Sequence, residues 1–247
     1  MGGVWHKGAS LFLAITGLAL FTSCSKPHKS SEPSVSKELA ALTGCQAPAG
    51  VSSSPKTIAE AVSLINALPK PVSVSCFVAS LARPLKVTLT SNGVSAQPAV
   101  GTRSPRIFIV NDKLIMSIVP EGPGQDLVEF SYMVSATASI KAELEFPVVD
   151  AVSPQAPYER IRLGEGTTCM ACHGSETKAP DIDYANAFIS KAIQPQRSTL
   201  VSLGSFRSEL DTCSSFLEPK RCEMLAALLE KGEVQSYDFP ASMPYFF

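Results

Sequence analysis

Seven cysteines constrain this chain of 247 residues more than any other residue type, at positions Cys24, Cys45, Cys76, Cys169, Cys172, Cys213 and Cys222. Cys169 and Cys172 lie three positions apart with His173 directly after them, inside GTTCMACHGSE. Cys24 closes an apolar leader. The remaining four are an even number, and four cysteines allow three pairings. In an oxidising compartment such residues pair as disulfides. Proximity favours Cys45 with Cys76 and Cys213 with Cys222, each pair inside one expected domain. A buried free thiol is the alternative for Cys76, which falls on an apolar stretch.

The compartment is read from the leader. Lys7 precedes an apolar run from Ala9 to Phe21. That run is too short to cross the roughly 30 Å hydrocarbon core of a bilayer but suits the apolar region of a signal peptide. Leu20-Phe21-Thr22-Ser23-Cys24 resembles a bacterial lipobox, whose cysteine becomes the lipidated first residue of the mature protein. The expectation is a signal peptide over 1–23, with Cys24 as the lipidation site. Several acyl chains on one cysteine suffice for stable membrane anchoring. Ser25, rather than Asp, points to the outer membrane facing the periplasm more than to the inner membrane. An ordinary cleaved signal with a coincidental cysteine is the alternative. Residues 24–37 are Ser/Pro/Lys-rich and read as a flexible tether.

Beyond the tether the hydrophobic period changes twice. Residues 38–44 and 57–68 read as helices. Thr57 and Glu60 form a capping-box pattern, and Pro69 and Pro71 end the second helix. From Val72 the period is two, through 72–78, 85–89, 106–110, 113–119, 127–134 and 139–149, with a hairpin signal at Asn111-Asp112. After the prolines of 153–161 the pattern is helical again, over 181–193, 202–217 and 219–232. Pro219 and Gly232 bound the last of these. The expected fold class is α+β. An antiparallel β-sandwich-like domain with a leading helix covers 38–152, and an all-α domain covers 153–247. The formal net charge of -1 offers no basic field for nucleic acid.

Cys-x-x-Cys-His has a physical logic. Two thiols one helical turn apart can form thioether links to one edge of a haem, and the next residue presents imidazole to the iron. Attachment of this kind takes place outside the cytoplasm in bacteria, which agrees with the leader. A redox disulfide would call for a βαβ setting, which is not evident here. A zinc site built from Cys169, Cys172, Cys213 and Cys222 has an unusual spacing. The chain holds three histidines, and His6 and His28 lie in the leader and the tether. A second iron ligand is therefore sought among methionines. Met116, Met133 and Met224 read as core filling, and Met170 is inside the motif. Met243 stands on an irregular tail, PASMPYFF.

Residues from about 158 to 247 resemble a class I cytochrome c domain. GTTCMACHG resembles the family's haem-attachment segment, and Ser242-Met243-Pro244 resembles its Met-Pro loop, 70 residues after His173. The resemblance implies one covalent haem c on Cys169 and Cys172, His173 as the proximal iron ligand and Met243 as the candidate distal ligand. It departs from the family in placing its best helix, 219–232, before the methionine. Arg160, Arg162 and Lys178 are candidate partners for the haem's acid groups. The expected function is an exported, lipid-anchored monohaem cytochrome that passes single electrons to a redox partner protein at the cell envelope. No catalytic residues are evident, and an electron carrier is expected rather than an enzyme. The alternatives are a five-coordinate haem sensor or peroxidase-like protein, and an envelope binding protein with a structural haem.

Overall fold

The computed structural model describes residues 42–246. The expected signal peptide, the tether, Cys24 and most of the helix over 38–44 lie outside the described residues. Helix α1 (Ile58–Ala67) starts as its sequence dictates: the Thr57 side chain accepts from the Glu60 amide at 3.1 Å. The reciprocal bond falls one residue earlier, since Glu60 accepts from the Lys56 amide at 2.7 Å. Helix α2 (Val74–Ser80) follows, where alternation predicts a strand. The alternation misleads because α2 is buried on almost every side, so it has no solvent face to impose a helical period. Ser73 supplies the deciding signal, its side chain accepting from the Cys76 amide at 3.0 Å.

Five strands come next: β1 (Leu85–Thr90), β2 (Arg106–Asn111), β3 (Leu114–Ile118), β4 (Leu127–Ser135) and β5 (Ala138–Glu145). They pair antiparallel in sequence order. In the β2–β3 hairpin Asn111 pairs with Leu114, so the two turn residues are Asp112 and Lys113, and Asp112 takes the left-handed φ of 55°. The short helix α3 (Ala156–Arg160) follows β5, and β6 (Arg162–Leu163) and β7 (Gly166–Thr167) form a separate small hairpin. After helix α4 (Met170–His173) come β8 (Thr177–Lys178), β9 (Phe188–Lys191), β10 (Leu200–Val201), α5 (Leu203–Asp211), α6 (Pro219–Leu229) and β11 (Val234–Ser236).

The C-terminal strands overturn the expected fold class. Strand β9 pairs with β5, and β8 with β9, which extends one edge of the main sheet. At the other edge β10 pairs antiparallel with β1 and β11 pairs parallel with it. Residues 153–247 therefore do not form an all-α cytochrome c-like domain, and residues 38–152 do not form a sandwich. The two regions share one mixed sheet of nine strands. Residues 181–193, expected as a helix, instead carry β9. Strands of two to four residues are too short to show a period, and exposed sheet edges are commonly covered by such pieces.

Alternation gives the sheet two faces. Ile107, Ile109, Leu114, Met116, Ile118, Val128, Ile140 and Leu144 belong to one large buried core with residues of α1, α2 and α6. At the end of α6 the Arg83 guanidinium donates to the carbonyls of Ala227 and Leu228. Gly232 serves this close approach, because a Cβ there would lie 2.7 Å from Arg83 Cγ. The structure joins Cys45 to Cys76 and Cys213 to Cys222. The first ties the chain entering α1 to α2 across a separation of 31 residues. Replacing Cys45 and Cys76 by serine is expected to lower stability by about 3.7 kcal/mol, the loop-entropy value for a separation of 31 residues. Urea unfolding of the oxidised protein and the double variant measures it.

Candidate functional site

The opposite face of the sheet is lined differently. Arg106 and Phe108 of β2, Ile115 and Ser117 of β3, Glu129, Ser131 and Met133 of β4, and Lys141 and Glu143 of β5 all border one cavity. The register explains the grouping: Phe108 pairs with Ser117, Ser117 with Glu129, Glu129 with Glu143, and Ser131 with Lys141. The cavity encloses about 1170 Å³, its mouth included. Its far wall contains Cys169, Cys172 and His173, and its lining also contains Met243. The structure thus brings the pentapeptide and the tail methionine, far apart in sequence, to one space.

Local contacts hold the pentapeptide. Glu176 accepts from the Thr167 amide at 2.8 Å and from the Thr167 hydroxyl. The Thr167 hydroxyl oxygen accepts from the Cys169 amide at 3.1 Å. One turn of helix then places Cys172 and His173, with Gly174 at φ 74° ending it. Cys169 and Cys172 are free thiols, both half-buried. Burial pushes the Cys169 thiol up to about 11, so it is a poor thiolate at neutral pH, which weighs against a thiol-redox role.

His173 Nδ1 lies 2.7 Å from the Lys191 carbonyl oxygen. A carbonyl only accepts, so Nδ1 carries the proton. Burial, with Lys141 nearby, holds the imidazole down to about 3, so it is neutral. A neutral ring protonated at Nδ1 leaves Nε2 as the lone-pair nitrogen, the form in which histidine binds a metal. The carbonyl also fixes the ring's orientation, the usual role of such a partner.

Met243 is 3% exposed and packs with Val110, Ile115 and Ala192. Its tail is tied down by the chain just beyond β9. Gln194 Nε2 donates to the carbonyls of Met243 and Pro240, the Gln194 amide donates to the Pro244 carbonyl, and the Phe246 amide donates to the Gln194 carbonyl. Met133, expected as core filling, lines the cavity too, whereas Met116 and Met224 are in the core.

Arg160, Arg162 and Lys178 are not among the residues that line the cavity. Arg160 is paired with Glu143 and Glu145, and Arg162 and Lys178 are exposed. The cations in the lining are Arg106, paired with Glu129, and Lys141. Their alternation with Phe108, Ser131 and Glu143 was visible in the sequence but indistinguishable there from a solvated sheet face.

Two free thiols, a neutral imidazole and a thioether on a largely apolar cavity fit a covalently attached haem. They fit zinc poorly. Cys213 and Cys222 are consumed in a disulfide, and among the described residues no group of three or more His, Cys, Asp or Glu could hold a metal ion. The chain matches no protein-family model, no curated protein and no solved structure.

Two outcomes follow for the protein with nothing in the cavity. Gln194→Ala strands buried carbonyls and should cost about 1–3 kcal/mol, with faster amide exchange confined first to 243–246. The pH dependence follows from His173, whose folded pKa lies below its unfolded value of about 6.5. Its contribution to stability is full above that value and is lost as pH falls towards about 3. Unfolding midpoints measured across this window should fall with acid, and less steeply in His173→Asn.

Proposed function

We propose that the chain carries one haem c, attached through Cys169 and Cys172, with His173 as proximal ligand and Met243 as distal ligand. It serves as a single-electron carrier at the bacterial cell envelope. One observation carries the reading: the Cys-x-x-Cys-His turn and Met243 line the same cavity although 70 residues separate His173 from Met243. Bound haem supplies a one-electron Fe(III)/Fe(II) couple, and a His/Met ligand pair raises its potential. The chain's own residues do the rest. The Lys191 carbonyl orients His173, Gln194 holds the Met243 loop, and Phe108, Ile115 and Phe239 keep water from the interior. The acyl chains on Cys24 would keep the domain at the membrane, within reach of a redox partner protein. The fold is not that of the class I cytochromes, so the reading rests on the site and not on the architecture.

Intact mass after export with the haem-attachment machinery tests the first claim. One covalent haem is expected on the native chain and none on the Cys169→Ala, Cys172→Ala variant. A native chain without haem overturns the reading. Met243→Ala should abolish the long-wavelength charge-transfer band of an oxidised His/Met haem and lower the potential, while Met133→Ala leaves both. The reverse result makes Met133 the ligand. Absence of that band from the native protein, with a high-spin spectrum, favours the five-coordinate sensor reading.

A further inference from the structure

The charges on the cavity face of the sheet leave one cation unmatched. Arg106 is committed, its guanidinium bonded to Glu129, to the Ser95 hydroxyl and to the Ser117 hydroxyl. Arg160 is committed to Glu143 and Glu145. Lys141 differs. It is 9% exposed and lines the cavity from the interior of β5. Its Nζ donates to Ser131 Oγ at 2.9 Å, and Ser131 Oγ donates in turn to Ser139 Oγ at 2.9 Å. No ion pair joins Lys141 to a carboxylate among the described residues.

Such a group is costly. An ammonium taken out of water loses several kcal/mol of hydration unless a counter-charge replaces it. Burial accordingly lowers Lys141 to about 8, which still leaves it largely charged at neutral pH. The other charged or titratable groups of this cavity are Arg106, Glu129, Glu143, Cys169, Cys172 and His173, and both lining carboxylates are bound to arginine. The hydroxyl of Ser131 satisfies one of three ammonium donors. The two remaining donors of Nζ suit an anion.

We propose that Lys141 is the seat of a carboxylate borne by the molecule that fills this cavity. On the haem reading, on which this rests, that carboxylate is one of the two propionates of the porphyrin, held at the sheet face inside the cavity. An ammonium beside a buried carboxylate keeps it ionised and bonds it more strongly than a neutral donor would. Arg160, Arg162 and Lys178 have no part in this seat.

The test uses the full chain carrying haem labelled with carbon-13 at its carboxyl groups, read by infrared spectroscopy across a pH series. In the native protein one labelled carboxyl should stay ionised to markedly lower pH than the other. In Lys141→Gln, which keeps a donor to Ser131 but drops the charge, that carboxyl should bind its proton at least about tenfold more tightly, one pKa unit upward. Lys141→Arg should restore the native behaviour. A purely structural lysine would not move a band that belongs to the ligand. Labelled bands that are the same in native protein and Lys141→Gln overturn the seat while leaving the haem reading intact. Should Lys141→Gln not accumulate, two labelled carboxyls that titrate together in the native protein overturn it equally. Absence of covalent haem from the native chain, seen by mass, overturns the haem reading and the propionate assignment with it.

Discussion

The hydrogen bond from His173 Nδ1 to the Lys191 carbonyl is the contact on which the site depends. It joins the helical turn of the Cys-x-x-Cys-His segment to the sheet, because Lys191 is the last residue of β9 and β9 is paired to β5. The same stretch of chain runs on for three residues and reaches Gln194, whose side chain and backbone grip the tail around Met243. One short segment therefore aligns two groups that arrive from opposite directions. Its own position is fixed by ordinary ladder bonds to a central strand, so the precision of the site is inherited from the sheet.

The sheet has two unlike faces because successive residues of a strand point to opposite sides of it. One face is apolar and closes against α1, α2 and α6. The other is mixed, with Arg106, Glu129, Ser131, Lys141 and Glu143 set among Phe108, Ile115 and Met133. Polar groups on such a face normally meet water. Here the segment around α4, the chain after β9 and the C-terminal tail roof them over. This roof converts a solvated face into a cavity whose interior favours paired charges and penalises single ones.

The strands β1 to β5 and the helices α1, α5 and α6 were legible, because alternation, the Thr57 cap and Pro219 act locally. The pentapeptide was legible for the same reason: its chemistry lies in adjacent residues. What the sequence concealed was non-local. Helix α2 hid behind an alternating VSVSCFV because burial on all sides removes the helical period. Strands β8 to β11 are too few residues each to announce themselves, and the apolar spacing of 181–193 suggests a helix. The resemblance to class I cytochromes singled out Cys169, Cys172, His173 and Met243, which line one cavity, but it also implied a helical domain that the chain does not build. Lys141 and Arg106 were hidden because a strand's outward residues look alike whether water or a roof lies above them.

Both edges of the sheet are supplied by the last third of the chain: β8 and β9 on the β5 side, β10 and β11 on the β1 side. Strand β1 meets β11 only after some 150 intervening residues, Leu85 pairing with Val234. A chain emerging from its N-terminus thus forms the central hairpins early and waits with two bare edges. Pairings this distant in sequence are slow to close, and bare edges recruit other strands. During that interval the face that becomes the cavity floor is open, and whatever occupies it can enter before the tail comes down.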